Sequence, residues 1–156
     1  MIESLMRLCN NYFESTVEEG DYALGTNFIS GVRGSYAPGQ YIRIMESCTN
    51  DGVYKVRTQV GSTLHFDENF PHDENFAGYI VGLRVPKDFV SLATKIGDFN
   101  KKSEKHAGVS SESIPNYSVS YDKSSNHGAQ FYQTEVRQFQ KPWRPVYDFL
   151  KWVKHV

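Results

Sequence analysis

The five histidines are the first candidates for chemistry, because histidine is a common metal ligand and a common general base. They are His65, His72, His106, His127 and His155. No two of them have the spacing of a ligand pair on a helix, and no pair of cysteines accompanies them. The histidine pattern therefore indicates no zinc-type site.

An acidic segment contains one of these histidines. Residues 67–76 read Asp-Glu-Asn-Phe-Pro-His-Asp-Glu-Asn-Phe, so the Asp-Glu-Asn-Phe string occurs twice, six residues apart. Its four carboxylates could hold a calcium ion, but their spacing fits no EF-hand loop. We interpret the segment as a solvated hairpin loop and predict no metal site.

Patterns typical of nucleophilic or phosphate chemistry are also missing from the sequence. There is no Gly-x-Ser-x-Gly elbow, and neither Cys9 nor Cys48 has neighbours that would activate a thiolate. The segment Gly31–Gly34 is too short for a phosphate-binding loop and lacks the Lys-Ser/Thr ending. Nothing in the sequence brings two carboxylates together as an acid–base pair. We predict that the protein is not an enzyme and binds no cofactor.

Charge is balanced over the chain but uneven along it. The 156 residues include 17 Lys and Arg against 18 Asp and Glu, for a formal net charge of −1, so no global field attracts nucleic acid or a membrane. Basic and aromatic side chains gather near the C-terminus, where the candidate interface residues are Trp143, Arg144, Tyr147 and Trp152. This combination is typical of a protein interface. The alternatives are a contact with a phosphate backbone and helices covered within the same subunit.

A second candidate interface segment lies between two polar loops. It begins at Ile114, and then Tyr117, Val119 and Tyr121 alternate with polar residues. This alternation predicts an extended strand or arm over residues 114–121. The strand could join the β structure of its own chain or that of a neighbouring subunit.

Helices and a β module must position these segments. Three-four spacing of apolar residues predicts helices over residues 2–14, 87–99 and 129–140, with a last short helix from Pro145. Frequent turn residues predict a β module over residues 21–85, a small antiparallel sheet or half-barrel of four or five strands. Its clearest part is a hairpin around Asn50-Asp51-Gly52, in which Tyr54, Val56 and Val60 face the same side. Strands clustered between helices predict an α+β fold.

Two features of the sequence bear on where the protein resides. The N-terminal residues lack the apolar core and cleavage site of a signal peptide, and no stretch approaches the roughly 20 apolar residues that span a bilayer. Two cysteines in a chain of this length form no disulfide framework. We expect a soluble protein that is made in the cytoplasm and has no membrane partner.

Three stretches of the chain form a further pattern. They are Asn11–Glu14; Gly39–Ile44 with Ser47 and Asn50–Val56; and Val85–Val90 with Ile96 and Ser113–Tyr121. Together they resemble the small head-to-tail connector (adaptor or neck) proteins of tailed bacteriophages and prophages of Gram-positive bacteria. The Ser-Ile-x-x-Tyr-Ser-Val-x-Tyr string is the most specific part of the resemblance.

The resemblance implies a particular domain organisation. We expect a helical connector core over residues 1–121, made of helix 2–14, the inserted small antiparallel β module 21–85, helix 87–99 and the extended arm 114–121. Residues 122–156 would form a C-terminal helical segment and an anchoring tail. Connector proteins of this kind are mostly helical, so the β module departs from the family pattern.

The resemblance also implies a function. Such proteins are structural, non-enzymatic components of the virion neck that form a homo-oligomeric ring, usually of twelve copies. The ring docks on the portal protein, extends the channel for genomic double-stranded DNA without sequence-specific contacts, and receives the next neck or tail-completion protein. We expect residues 114–121 to pair across subunits or to lie against the portal. We expect Trp143, Arg144, Tyr147 and Trp152 to form the anchoring surface.

Other functions stay open at this point. A stopper or tail-completion protein, one tier lower in the neck, would contact the tail through its β module. An OB-like module that binds single-stranded nucleic acid would use the basic residues Arg43, Lys55 and Arg57 of the β segment. A small hydrolase would need paired acids or a bound metal in a cleft.

Overall fold

A computed structural model describes residues 1–106 and 127–142 of the protein. In chain order, the elements are α1 (Ile2–Leu8), β1 (Glu14–Leu24), β2 (Phe28–Ser30), β3 (Tyr41–Met45), β4 (Gly52–Val60), β5 (Thr63–Phe66), β6 (Glu74–Leu83), α2 (Lys87–His106), α3 (His127–Phe131) and α4 (Gln133–Phe139). They divide into two compact units. The helical unit comprises residues 1–11 and the described part of 86–142, and the barrel unit comprises residues 12–85.

The barrel unit is a closed barrel of six antiparallel strands in the order β1-β2-β5-β4-β3-β6. The longest ladder joins β1 to β6, from Glu14 opposite Leu83 to Leu24 opposite Glu74. The predicted hairpin is confirmed, since β3 and β4 pair in antiparallel register with Ile44 opposite Gly52. Closure pairs the first strand of the barrel with the last, so the sheet has no free edge.

The predicted fold of a helical connector core with a small inserted β module is therefore wrong. The protein is mostly β, with six strands and a closed barrel in place of four or five strands and an open sheet. The first strand begins at Glu14, ahead of the predicted boundary at residue 21. Residues 14–20 are mainly polar and mostly exposed, so they carry no apolar alternation, and it is their pairing with β6 that makes them a strand.

Helix α1 is also shorter than predicted, because it ends at Leu8 instead of residue 14. Asn10 and Phe13 adopt left-handed backbone conformations, with φ of 49° and 56°, which an α-helix does not contain. Asn11 lies between them and is buried, and its amide donates to the carbonyl of Phe139 at 2.9 Å. The apolar spacing thus continues past the point where the backbone leaves the helix.

Aliphatic and aromatic side chains together fill the interior of the barrel. Phe66 is fully buried and meets Phe70 edge-on at 5.1 Å and Tyr54 edge-on at 6.2 Å between ring centroids. Val60 was expected to share a side with Tyr54 but is 65 % exposed. The reason is a shift of the β4–β5 register between Val56 and Thr58, which turns the end of β4 outward.

The helical unit is built on α2. Its predicted apolar stripe is confirmed for Phe89, Leu92, Ala93 and Ile96, which are buried, whereas Phe99, the last residue of the stripe, is half-buried. The helix continues to His106, beyond the predicted end at residue 99. The helix predicted over residues 129–140 is instead two helices, α3 and α4, that meet at Tyr132. Thus the pattern located the buried face correctly but not the ends of the helices.

Candidate interaction surfaces

All eight predicted interface residues lie outside the described residues. They are Ile114, Tyr117, Val119, Tyr121, Trp143, Arg144, Tyr147 and Trp152. Within residues 1–106 and 127–142, the candidates for function are two polar networks of the barrel, its basic outer face and an aromatic surface of the helical unit.

The first polar network surrounds the Asn50-Asp51-Gly52 turn. Asn50 is fully buried, and its side-chain amide donates to the carbonyl of His72 at 3.0 Å and accepts from the N–H of His72 at 3.2 Å. The hydroxyl of Tyr54 donates to the carbonyl of Asn50 at 2.8 Å. A buried amide that is paired at both ends satisfies its own polar atoms. It therefore joins the β3–β4 turn to the loop that precedes β6.

Glu74, at the start of β6, belongs to the same network. Its carboxylate accepts from the N–H of Cys48 at 2.9 Å and from the hydroxyl of Thr49 at 2.8 Å. Hydrogen bonding from the Ser47 hydroxyl, followed by that from Thr49 and the neighbouring backbone, holds the pKa of Glu74 below its ordinary value, although burial opposes this. The carboxylate is thus a structural acceptor for the turn.

The acidic segment before β6 is only partly the solvated loop that its sequence predicts. Asp67, Glu68 and Asp73 are exposed. Phe70, however, is buried, and its N–H donates to the carbonyl of Thr26 at 2.7 Å. The first copy of the Asp-Glu-Asn-Phe string lies in the loop, whereas the second runs into β6, although the phenylalanine of each copy is buried. The repeat in the sequence is therefore no repeat in secondary structure.

The second polar network is centred on Glu18 in β1. Its carboxylate accepts hydrogen bonds from the hydroxyls of Tyr22 and Tyr36, each at 3.0 Å. The backbone N–H groups of Arg33 and Gly34 donate to it at 3.1 and 2.5 Å. Burial raises the pKa of both tyrosines, and the negative charge and hydrogen bond of Glu18 raise it further. Both hydroxyls therefore stay protonated near neutral pH, and Glu18 holds residues 33–36 against β1.

The segment Gly31–Gly34, which was judged too short to bind phosphate, has a structural role beside this network. Gly31 has φ of 89°, and a Cβ atom there would lie 2.6 Å from the carbonyl oxygen of Asp21. Only glycine fits such a close approach to β1. Sequence reasoning identified the glycines but missed Glu18, because its partners are distant along the chain.

The outer face of β3 and β4 carries the basic residues that an OB-like module would use. The guanidinium of Arg43 lies 3.7 Å from the carboxylate of Glu14 and 3.8 Å from the ring centroid of Tyr12. Arg57 lies 3.6 Å from the carboxylate of Asp67. Two of the three predicted cations therefore have an acidic neighbour within the barrel, which weakens the pull of this face on a phosphate backbone.

Aromatic side chains form a surface on the helical unit. The ring of Phe131 in α3 stacks on that of Phe99 in α2 at 4.8 Å, and Tyr132 meets Phe131 edge-on at 5.0 Å. Phe131 is 53 % exposed. The N–H of Gly128 donates to the side-chain oxygen of Asn100 at 2.8 Å, which holds α3 on α2. We call Phe99, Phe131 and Tyr132 the aromatic patch.

The two cysteines are free and differ in exposure. Cys48 is exposed, whereas Cys9 is buried in the helical unit and its thiol lies 3.7 Å from the carbonyl oxygen of Val136. Burial raises the pKa of Cys9 to about 11. A thiol with so high a pKa is a poor nucleophile near neutral pH, so Cys9 serves packing.

The described part of the chain contains neither a metal-type cluster of side chains nor a membrane-type helix. No three His, Cys, Asp or Glu side chains in it converge as a metal site would require. No helix in that part is both long and apolar enough to cross a membrane. In comparisons with known proteins, no family model, no curated protein and no solved structure matches this chain.

Proposed function

We propose that this protein is a structural component of the virion, a subunit of the head-to-tail connector ring of a tailed bacteriophage. It has no catalytic role in this proposal. Its partners are further copies of itself, the portal protein on one side of the ring, and the next neck or tail-completion protein on the other. Genomic double-stranded DNA passes through the ring.

The observation that carries the proposal is that residues of the connector-like motifs belong to the framework of the fold. Asn50 is fully buried and joins two barrel loops, and Asn11 is buried and bonded to the backbone of Phe139. Gly39, in the second motif, has φ of 84°, which favours glycine. The resemblance therefore includes residues with fixed structural roles in this chain, although the closed barrel around them is not the helical core that the resemblance implies.

The use that the barrel makes of its carboxylates supports a structural role. Glu18 accepts four hydrogen bonds from two tyrosines and two backbone N–H groups, and Glu74 accepts from the β3–β4 turn. An acid–base catalyst needs a carboxylate that can exchange a proton with a substrate. These two carboxylates are already occupied by the protein itself.

The distribution of charge suits a channel through which DNA must slide. A lumen that gripped phosphates would slow DNA, and each phosphate contact would add to the affinity. The net charge is −1, and both Arg43 and Arg57 have a carboxylate within 4 Å. Such mixed charge favours the passage of DNA through the channel over its retention there.

Negative-stain imaging of the purified protein, alone and with the portal protein of the same virus, tests the proposal. We expect rings with a central hole that join the portal. A compact monomer that never joins the portal would contradict the connector function. Binding to a purified tail component instead of the portal would indicate the stopper or tail-completion tier.

A variant tests the anchoring surface directly. The double substitution Trp143→Ala and Trp152→Ala should reduce co-sedimentation with the portal, because aromatic side chains contribute most to interfaces. The unfolding midpoint of the variant, followed by circular dichroism, serves as the control and should match that of the wild type. Unchanged co-sedimentation would refute the assignment of this surface.

A module that binds single-stranded nucleic acid is the second candidate, and the closed barrel is the observation that favours it. The OB-fold has five strands, however, whereas this barrel has six. Fluorescence anisotropy with a labelled oligothymidylate separates the two functions. Binding by the monomer that weakens with salt and is lost in Lys55→Ala/Arg57→Ala would support the nucleic-acid module. The connector function predicts no such binding.

A further inference from the structure

We propose that the aromatic patch of the helical unit, with the lysines beside it, binds the acidic loop of a second copy of the chain. The acidic loop is residues 67–73 of the barrel unit. The inference rests on the proposed ring function and deepens it, because it names the two surfaces that meet when one subunit joins the next.

The aromatic patch has the features of a contact surface. Its three rings touch one another, at centroid distances of 4.8 Å for Phe99–Phe131 and 5.0 Å for Phe131–Tyr132. Phe131 is more than half exposed. A single exposed apolar residue is common, but three rings in contact form a continuous surface whose burial would stabilise a complex.

Lysines give this surface a positive charge. Lys95 stands four residues before Phe99 and Lys102 three residues after it, so both lie on the same face of α2 as the ring. Both are exposed, and neither forms an ion pair with a described residue. Over residues 95–102 of α2, three lysines (Lys95, Lys101 and Lys102) stand against one acidic residue, Asp98, and the exposed Glu135 follows three residues after Tyr132 in α4. The α2 side of the aromatic patch therefore carries a net positive charge.

The acidic loop has the opposite charge and a fixed shape. Asp67, Glu68 and Asp73 are exposed, and residues 67–73 contain no Lys or Arg. Phe70 is buried, and its N–H bonds to Thr26, so the middle of the loop is held against the barrel. A loop that is already ordered loses little entropy when it binds.

The contact that the acidic loop makes within its own barrel leaves it available. Asp67 lies 3.6 Å from Arg57, but the two side chains are 77 % and 51 % exposed. An ion pair this exposed contributes little, and a partner can displace it at small cost. Glu68 and Asp73 form no ion pair with a described residue.

A second copy is the occupant that these observations favour. The two complementary surfaces belong to one chain and to different units of it, so each copy can give its acidic loop to one neighbour and its patch to another. An interface between two different surfaces, repeated by rotation, closes a ring. A basic surface and an acidic surface on the same chain also offset each other, in agreement with a net charge of −1.

Charge reversal of the full-length protein tests the pairing by sedimentation velocity. The patch variant Lys95→Glu/Lys102→Glu should lose ring assembly, and so should the loop variant Asp67→Lys/Glu68→Lys/Asp73→Lys. An equimolar mixture of the two should regain it, since each interface then joins opposite charges. Lys87→Glu/Lys141→Glu, a matched reversal of two exposed lysines elsewhere on the helical unit, should assemble normally.

The apolar part of the contact is tested separately. Phe131→Ser should raise the concentration at which half of the protein is assembled by at least about tenfold, because a central aromatic contact is lost. Val60→Ser, at an exposed apolar position of the barrel, is the control and should leave that concentration unchanged.

The outcomes separate the pairing from the ring function. Rings in the wild type together with rings in the patch variant would overturn the pairing and leave the connector function intact. Loss of portal binding in the patch variant with unaltered rings would assign the patch to the portal and also overturn the pairing. A wild type that stays monomeric alone and with the portal would overturn both proposals.

Discussion

The barrel unit and the helical unit are stabilised by different interactions. In the barrel, strand ladders surround a core of aliphatic and aromatic side chains, and the Glu18 and Asn50 networks use polar side chains to hold its loops. In the helical unit, the stripe of α2 packs with the other helices, and Phe131 keeps half of its surface exposed. The barrel closes its own sheet, and what it offers to another chain is an exposed charged loop. The helical unit differs because it leaves an aromatic surface exposed.

The largest effect is expected from removing a core ring in each unit. Phe66 in the barrel and Phe89 in α2 are both fully buried and both meet other rings edge-on. Substitution of either by alanine should lower the free energy of unfolding by about 3–5 kcal/mol, through lost burial and the cavity that remains. Hydrogen exchange should show the loss of protection mainly in the unit that carries the substitution. A loss spread equally over both units would contradict the division into two cores.

Two buried asparagines provide the next contrast. Asn50→Ala should destabilise the barrel by about 2–3 kcal/mol, because the N–H and carbonyl of His72 lose their partner inside the protein. Asn11→Ala should cost about 1 kcal/mol through the loss of its bond to the Phe139 carbonyl in the helical unit. Urea denaturation measures both. Equal costs would contradict the larger contribution assigned to the Asn50 network.

Alkaline pH should weaken the barrel through Tyr22 and Tyr36. The folded protein raises the pKa of both phenols above the ordinary value of 10, so the unfolded state releases these protons first. The contribution of the two tyrosines to the free energy of unfolding is therefore fully present below about pH 10 and is lost as the pH rises above it. Tyr36→Phe should cost about 1.5 kcal/mol at pH 7, by losing the bond to Glu18, and should make the alkaline fall shallower. An unchanged slope would show that Tyr36 does not titrate in the unfolding reaction.

The smallest effect is expected at acid pH from Glu74. The folded protein lowers the pKa of this carboxyl, so its contribution is present above the ordinary value of 4.5 and is lost as the pH falls through the folded value. Glu74→Gln should reduce stability at pH 7 by less than Asn50→Ala does, because the carboxylate is only partly buried. The free energies of unfolding of the two proteins should converge once the pH falls below the folded pKa of Glu74. A difference that persists at the acid end of the titration would assign the effect to packing instead of charge.

The sequence predicted local structure well where a pattern is short and self-contained. The Asn50-Asp51-Gly52 turn between alternating strands indicated the β3–β4 hairpin, and three-four spacing indicated the buried face of α2. Barrel closure was not predicted, since it depends on residues 14–20, which are polar and become a strand only by pairing with β6. The end of α1 was also missed, because the spacing of apolar residues carries no information about the left-handed backbone conformation of Asn10 and Phe13.

The sequence by itself determined which residues are apolar, where the tight turn lies and that the net charge is close to zero. Only the tertiary structure decided that the sheet closes, that Glu18 and Glu74 serve as acceptors for distant backbone groups, and that Phe131 stays exposed. The physical reason is distance along the chain. Turn and helix preferences act between near neighbours, whereas barrel closure and the hydrogen bonding of a carboxylate to remote backbone groups depend on residues that meet only after folding.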